Sequence, residues 1–211
     1  MGKIFCDRAG AGQELAKALA VYKERPDVVL LALPRGGVPV AHEVAKALSL
    51  PLDVWLVRKL GMPDHEELAM GAIAMGGVHY LNPSLAAQLE QQEIERVIAK
   101  EEIELQRRDT LYRQGRPLPQ LQGKTVIVID DGLATGATMR AAVESLRQLQ
   151  AGRIIVAAPV GSVSACRELS FIADEVICPY APENFYGVGQ WYADFSQTTD
   201  KEVQDILGHY R

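Results

Sequence analysis

The sequence predicts an α/β fold in which a mainly parallel five-stranded sheet is flanked by helices. The first observation is that short runs of β-branched residues alternate with longer helical segments. The second is that two of these runs, Val28–Leu33 and Thr125–Ile129, are apolar at consecutive positions, as is typical of strands covered on both faces. This alternation favours parallel pairing through crossover helices, and ligands then bind at the carboxyl ends of the strands.

The predicted strands follow one another along the whole chain. They are Val28–Leu33, Asp53–Val57, Thr125–Ile129, Ile154–Ala158 and Glu175–Cys178. The helices between them are recognised by their ends. Pro39 is expected in the first turn of a helix that runs to about Leu48, because proline lacks only an N–H that this turn leaves unpaired.

The later helices have end signals of their own. Asn82 is a predicted N-cap and Pro83 the first residue of one long charged helix over 83–112. A helix from about Ala137 to Leu149 is expected to stop at Gly152 in a left-handed conformation. The spacing Thr199-x-x-Glu202 predicts a capping box for the last helix.

Composition sets the broad class of protein. A chain of 211 residues is expected to form a single domain over 1–211, with a core over about 25–178 and a C-terminal segment over about 179–211. The net charge of −5 gives no global basic field, so nucleic acid is not an expected partner. No apolar run approaches the roughly 18 residues of a membrane span. The three widely spaced cysteines predict reduced thiols and a cytoplasmic location.

The most informative segment is Val126–Thr138. A buried strand delivers Asp130 and Asp131 to its carboxyl end, and a turn of small residues leads into a helix. The first N–H groups of a helix have no internal partner and attract anions such as phosphate. Carboxylates beside a phosphate pocket suit a ligand with a phosphate at one end and hydroxyls at the other. The alternative is an ordinary strand with an Asp-rich turn and a threonine cap.

This segment resembles the phosphoribosyl pyrophosphate (PRPP) signature of type I phosphoribosyltransferases. The resemblance implies the type I fold, with a mobile loop and a C-terminal hood around the core. It also implies that Asp130 and Asp131 hold the ribose hydroxyls as catalytic residues. The 5′-phosphate would be bound by Ala134, Thr135, Gly136, Ala137 and Thr138.

A second motif, Pro34-Arg35-Gly36-Gly37, follows the first strand. Its glycines let backbone amides approach a ligand, and Arg35 supplies a permanent cation. The stretch resembles the pyrophosphate loop of the same family, which implies a catalytic role for Arg35 and a cis peptide between Pro34 and Arg35. Considered alone, the tetrapeptide is also compatible with an ordinary turn.

Two further cations, Arg58 and Lys59, are expected at the end of the second strand. The run V-R-K-x-G is similar to one in adenine phosphoribosyltransferases, which implies pyrophosphate binding by Arg58 and, secondarily, Lys59. A solvated basic turn is the alternative. The glycine-rich segment Gly61–Tyr80 matches the position of the mobile loop of the family. Within it Glu67 is the catalytic candidate, ahead of its neighbours His65 and Glu66, and all three could instead be solvent-facing charges.

The C-terminal segment is rich in aromatic residues, prolines and glycines. In the type I phosphoribosyltransferases that this chain resembles, a hood of elements outside the core holds the base, which implies that Tyr186, Trp191 and Tyr192 stack on the acceptor base. An equally supported alternative is that these rings fill a small satellite core or a dimer contact.

The resemblance extends over nearly the whole chain, to a predicted phosphoribosyltransferase family without an assigned acceptor. It implies an enzyme that uses Mg²⁺ and PRPP, transfers to a small nitrogenous acceptor in nucleotide metabolism, and forms a homodimer. Mg²⁺ would be held mainly by the substrate, with Asp130 and Asp131 reaching it through water. Ala134 replaces an aspartate of 6-oxopurine enzymes, which disfavours those acceptors. The alternatives are a non-catalytic PRPP- or nucleotide-sensing module and a structural protein on the same fold.

Overall fold

The computed structural model describes residues 4–210, except for the side chain of Glu67. The strands are β1 Val28–Ala32, β2 Leu52–Val54, β3 Val57–Met62, β4 His65–Ala74, β5 Val78–Leu81, β6 Thr125–Ile129, β7 Arg153–Ala157 and β8 Glu175–Ile177. The α-helices are α1 Arg8–Ala18, α2 Gly37–Leu48, α3 Pro83–Ala86, α4 Gln91–Arg113, α5 Ala137–Gln148, α6 Val163–Leu169 and α7 Asp200–Gly208. Short 3₁₀ turns cover Ala20–Tyr22 and Val188–Trp191.

The main sheet has five parallel strands in the order β2-β1-β6-β7-β8, which confirms the predicted architecture. All five residues of β6 are buried, as expected for a strand with four consecutive apolar residues after Thr125. In the register of β1 and β6, Ala32 lies opposite Ile129. The loops that follow these two central strands therefore meet at one edge of the sheet.

A second sheet, β3-β4-β5, is antiparallel and has three strands. Its buried side chains Leu60, Met70 and Ile73 pack against Ile94 of α4. The segment Gly61–Tyr80 is therefore mostly strand, and the prediction of a loop there was wrong. The physical reason is that these residues gain their order by pairing with one another, which periodicity along the chain does not reveal.

Two predicted elements have different bounds. The strand expected over Asp53–Val57 ends at Val54, and Val57 begins β3 of the other sheet. The long helix is interrupted: Asn82 caps only the short α3, accepting hydrogen bonds from Ser84 N and Leu85 N at 3.0 and 3.3 Å. A capping box formed by Glu90 and Glu93 then starts α4.

The end of α5 differs from the one predicted from the sequence, and the start of α7 agrees with its prediction. Gln150, with a φ of 59°, has the left-handed conformation that was expected at Gly152. Gly152 has a different function, since a Cβ there would lie 2.6 Å from the carbonyl oxygen of Gly123. The capping box of Thr199 and Glu202 is present at the start of α7, as predicted.

The helices do not have the character of membrane spans where the structure describes them. The longest, α4, has 23 residues and carries many charges. Among the described residues, no helix combines the length and the apolar character needed to cross a membrane.

Candidate active site

The predicted acidic pair, Asp130 and Asp131, follows the carboxyl end of β6, and both residues are half-buried. Oδ1 of Asp130 accepts a hydrogen bond from the backbone N–H of Asp131 at 2.8 Å. Oδ2 of Asp131 accepts one from Nε of Arg8, also at 2.8 Å. Arg8 and Asp131 are 12% and 14% exposed, so this ion pair is largely shielded from water.

Burial controls the ionisation of both carboxyl groups. It raises the pKa of Asp130, and the neighbouring charge of Asp131 raises that pKa further. Burial also raises the pKa of Asp131, but the hydrogen bond and charge of Arg8 oppose this rise. Arg8 therefore favours the ionised form of Asp131. Arg8 is not among the site residues predicted from the sequence.

The glycine loop, Pro34–Gly37, packs directly on this pair. Its first peptide, between Pro34 and Arg35, is cis, as the resemblance implies. A Cβ on Gly37 would lie 2.6 Å from the carbonyl oxygen of Ile129, and a Cβ on Gly36 would overlap the carboxylate of Asp131. Only glycine allows this approach, so the loop and the acidic pair form one continuous surface.

The turn over Ala134–Thr138 lies beside the acidic pair and leads into α5. Gly136 has a φ of 73° and occupies the N-cap position, where no side chain caps the helix. The carbonyl oxygen of Ala134 accepts a hydrogen bond from the hydroxyl of Ser162 at 2.7 Å, which anchors the turn to α6. The N–H of Ala137 donates a long hydrogen bond of 3.4 Å to Oγ1 of Thr135, and the N–H groups that follow it in the first turn of α5 remain available to an anion.

Arg58 and Lys59 lie within β3, so the prediction that they follow a strand of the main sheet was wrong. They nevertheless line a cavity of about 470 Å³ together with Pro34 and Thr138. Nε and a terminal nitrogen of Arg58 contact one carboxylate oxygen of Glu101 at 2.7 and 2.6 Å. The position of β3 therefore still places Arg58 and Lys59 beside the Ala134–Thr138 turn and the glycine loop.

Arg35 points towards the C-terminal helix. A terminal nitrogen of its guanidinium lies 3.6 Å from Oδ1 of Asp200. The hydroxyl of Tyr112 donates to the same oxygen at 2.5 Å. Burial, together with this hydrogen bond, raises the pKa of Tyr112 to about 12, so the hydroxyl keeps its proton at neutral pH.

The candidate proton acceptors belong to β4. The Glu67 side chain lies outside the described residues, and its catalytic role stays a prediction. Its neighbours His65 and Glu66 are exposed. A carboxylate oxygen of Glu66 lies 3.6 Å from Nζ of Lys100, and both residues line the same cavity as Arg58.

Two of the three aromatic residues predicted to stack on the acceptor are buried in the structure. Trp191 is 4% and Tyr192 0% exposed, and both pack in a small cluster with Phe5. Buried rings offer no face to a base, so the prediction that these two stack on an acceptor was wrong and the satellite-core alternative applies. Tyr192 instead donates its hydroxyl to the backbone oxygen of Asp131 at 2.6 Å. Tyr186 is 91% exposed and remains open to a ligand.

Comparison with protein families matches residues 10–195 to the model of the phosphoribosyl transferase domain. Two relatives from Mycobacterium tuberculosis, in strains H37Rv and CDC 1551, are provisionally named phosphoribosyl transferases. Each is 46% identical over 207 residues, which are 97% of this chain and 46% of the relative. The chain thus spans about half the length of these two relatives.

Two solved structures are similar to this chain. The crystal structure of TT1426 from Thermus thermophilus is 43% identical, with a TM-score of 0.88 over 98% of both chains. A hypoxanthine-guanine phosphoribosyltransferase from Bacillus anthracis shares only 12% identity and has a TM-score of 0.51 over 88% of this chain and 86% of its own. At that identity it shows the fold alone, which is the fold predicted from the sequence.

Proposed function

Since this chain belongs to the phosphoribosyl transferase domain family, we propose that it is an enzyme that uses PRPP. It would transfer ribose 5-phosphate to a small nitrogenous, nucleobase-like acceptor and release pyrophosphate. One observation above all supports this proposal. The acidic pair, the glycine loop and the open helix terminus meet at one edge of the sheet, with Gly36 and Gly37 in contact with Asp131 and Asp130.

The donor would be held by its phosphate and its sugar. Residues Ala134–Thr138 offer backbone N–H groups and two hydroxyls to the 5′-phosphate at the start of α5. The neighbouring carboxyl groups of Asp130 and Asp131 would accept hydrogen bonds from the ribose hydroxyls. Arg8 supports this role because it favours the ionised, accepting form of Asp131.

The leaving group would be bound by the basic side of the site. Displacement at C1 of the ribose passes through an oxocarbenium-like state while negative charge grows on the departing diphosphate. Fixed cations and backbone amides stabilise that charge without having to reorganise. The residues proposed for this task are Arg35, Gly36, Gly37, Arg58 and Lys59.

We propose Mg²⁺ as the cofactor, since hard carboxylate oxygens are present at Asp130 and Asp131. Among the described residues there is no cluster of three or more potential metal ligands. Such a site fits Mg²⁺, which keeps waters and takes other ligands from substrate phosphates. When bound, the ion would neutralise diphosphate charge, with the two aspartates reaching it through water.

The acceptor would enter on the side of Ala134 and the exposed Tyr186. Ala134 carries no group that could exchange a proton with a base, so 6-oxopurines remain disfavoured. Tyr186 is the remaining hood candidate because its ring is open. Homodimer formation and a cytoplasmic location stay predictions.

The test is pyrophosphate release from PRPP and Mg²⁺ with a panel of nucleobases and related amines. We expect release with at least one acceptor, and loss of release when Asp130→Asn and Asp131→Asn are combined. Isothermal calorimetry on the same proteins separates the alternatives. PRPP binding without release for any acceptor would favour the sensing module, and absence of PRPP binding would refute the proposal.

A further inference from the structure

The cavity beside the Ala134–Thr138 turn has a second wall that the proposed site does not use. One side is formed by Pro34, Thr138 and the β3 cations, and the other side by α4. The α4 residues in the lining are Val97, Lys100, Glu101 and Arg108. Positions 97, 101 and 108 are four and seven residues apart, the spacing of a single helix face, so the middle of α4 faces the cavity.

The charge of this lining suits a polyanion. It contains the four cations Arg58, Lys59, Lys100 and Arg108, against the two carboxylates of Glu66 and Glu101. Arg58 is already paired with Glu101. Lys100 lies 3.6 Å from Glu66, and Arg108 is paired with Glu104, which does not line the cavity. The lining therefore carries two more cations than carboxylates, and a ligand with several negative charges would be attracted to both walls.

The side chain of Arg108 is oriented by an ion pair within α4. Its Nε donates to Oε1 of Glu104 at 2.7 Å. Hydrogen bonds from Arg107 and Arg108 lower the pKa of Glu104 to about 2, so this carboxylate is ionised at neutral pH and keeps its hold on Arg108. The bond uses Nε only, and the terminal nitrogens of the planar fork match the oxygens of a phosphate group.

We propose that α4 is the second wall of the diphosphate site, and that Arg108 and Lys100 donate to the diphosphate opposite Arg58 and Lys59. This inference rests on the proposed function, because it deepens the binding of PRPP. It assigns the helix to the diphosphate end of PRPP because the cavity also includes Pro34 of the glycine loop. The 5′-phosphate stays with the backbone amides at the start of α5.

The chain offers a matched control next to Arg108. Arg107 donates to the same carboxylate of Glu104, at 2.7 and 3.0 Å. It borders a different surface groove, however, with Ile103 and Thr110. Arg107→Gln and Arg108→Gln therefore remove the same charge from the same helix and the same ion-pair partner, but only one of them faces the cavity.

Isothermal calorimetry in the presence of Mg²⁺ would measure the affinity of each variant for pyrophosphate, ribose 5-phosphate and PRPP. We expect Arg108→Gln to weaken pyrophosphate and PRPP binding about tenfold, the effect of one charge-assisted hydrogen bond. Ribose 5-phosphate should stay within about twofold, and Arg107→Gln should leave all three ligands within about twofold. Lys100→Gln should weaken pyrophosphate by about threefold relative to the exposed Arg96→Gln.

The outcomes separate the two proposals. If the wild-type protein binds PRPP and Arg108→Gln matches Arg107→Gln for pyrophosphate, the α4 wall is wrong while the proposed function stands. A parallel loss of ribose 5-phosphate in Arg108→Gln would also overturn the wall, because the arginine would then act on the whole site. If the wild-type protein binds none of the three ligands, the proposed function itself fails.

Discussion

The ion pair between Arg8 and Asp131 allows a prediction about stability. The structure gives a hydrogen bond of 2.8 Å between two side chains that are 12% and 14% exposed. Arg8 also lies 4.1 Å above the centre of the Phe195 ring and donates to the carbonyl oxygen of Ser196 at 2.6 Å. Arg8→Met would keep the aliphatic bulk but leave a carboxylate without its cation.

Removing one partner of a buried pair costs roughly 3–5 kcal/mol, and the partial exposure here favours the lower end. For a domain of this size each kcal/mol lowers the melting temperature by about 2–4 °C, so the expected loss is about 6–12 °C. Arg25→Met is the matched control. Arg25 also pairs with an aspartate, Asp27, and lies over the ring of Tyr22, but it is 42% exposed. Its loss should cost at most about 1 kcal/mol.

The cost should also depend on pH. Arg8 opposes the rise that burial causes in the pKa of Asp131, so its removal raises that pKa further. A carboxyl whose pKa is higher in the folded than in the unfolded state destabilises the fold as pH rises past the unfolded value, and its protonation in acid removes this cost. The Arg8→Met deficit should therefore be larger at about pH 8 than at about pH 5.

Differential scanning calorimetry of the wild-type protein and both variants at the two pH values measures these quantities. The reasoning would be refuted if Arg8→Met lost no more stability than Arg25→Met, or if its deficit did not change with pH.

Two further predictions concern the glycine loop and the core. Gly36→Ala places a methyl group on the carboxylate of Asp131 and should weaken PRPP binding, measured by calorimetry, at least about tenfold. The control Gly208→Ala has open space around it and should leave the affinity unchanged. Equal affinities of the two variants would contradict the close approach of Gly36 to Asp131. Ser145→Ala removes the acceptor that lies 2.9 Å from the buried indole N–H of Trp55, so urea denaturation should show a loss of about 1–3 kcal/mol, and a neutral result would mean that the indole finds another partner.

Local sequence predicts the strand β6 and the turn after it well. The run Thr125–Ile129 is apolar at every position but the first, and the observed strand has the same bounds. The site motif is similarly local, since strand, acidic pair, turn and helix start occupy consecutive residues. Their geometry depends on short-range backbone preferences, such as the left-handed φ of Gly136.

The second sheet shows where local patterns fail. Glycines in Gly61–Tyr80 suggest turns, yet Gly61 and Gly71 lie within strands. A Cβ on Gly61 would be 2.6 Å from the carbonyl oxygen of Glu66, and one on Gly71 would overlap that of Tyr80. These glycines permit close pairing of neighbouring strands, which depends on tertiary contacts.

The aromatic hood shows a different limit. Composition alone does not distinguish a ring that stacks on a ligand from one that packs in a core, because both bury apolar area. The distinction depends on Phe5, whose ring centre lies 5.3 Å from that of Tyr192 and which comes from the opposite end of the chain. The sequence contains both residues but gives no spacing that pairs them.

The same long-range arrangement explains why Arg8 was missed. Arg8 and Asp131 are 123 positions apart, so no motif could join them. In the folded chain Arg8 holds the carboxylate of Asp131, and Tyr192 holds its backbone oxygen. Residues near both ends of the chain thus fix the position of Asp131, whereas the local motif only places it after β6. We therefore expect the C-terminal segment to act on the site mainly by positioning Asp131, which leaves acceptor recognition to its exposed residues such as Tyr186.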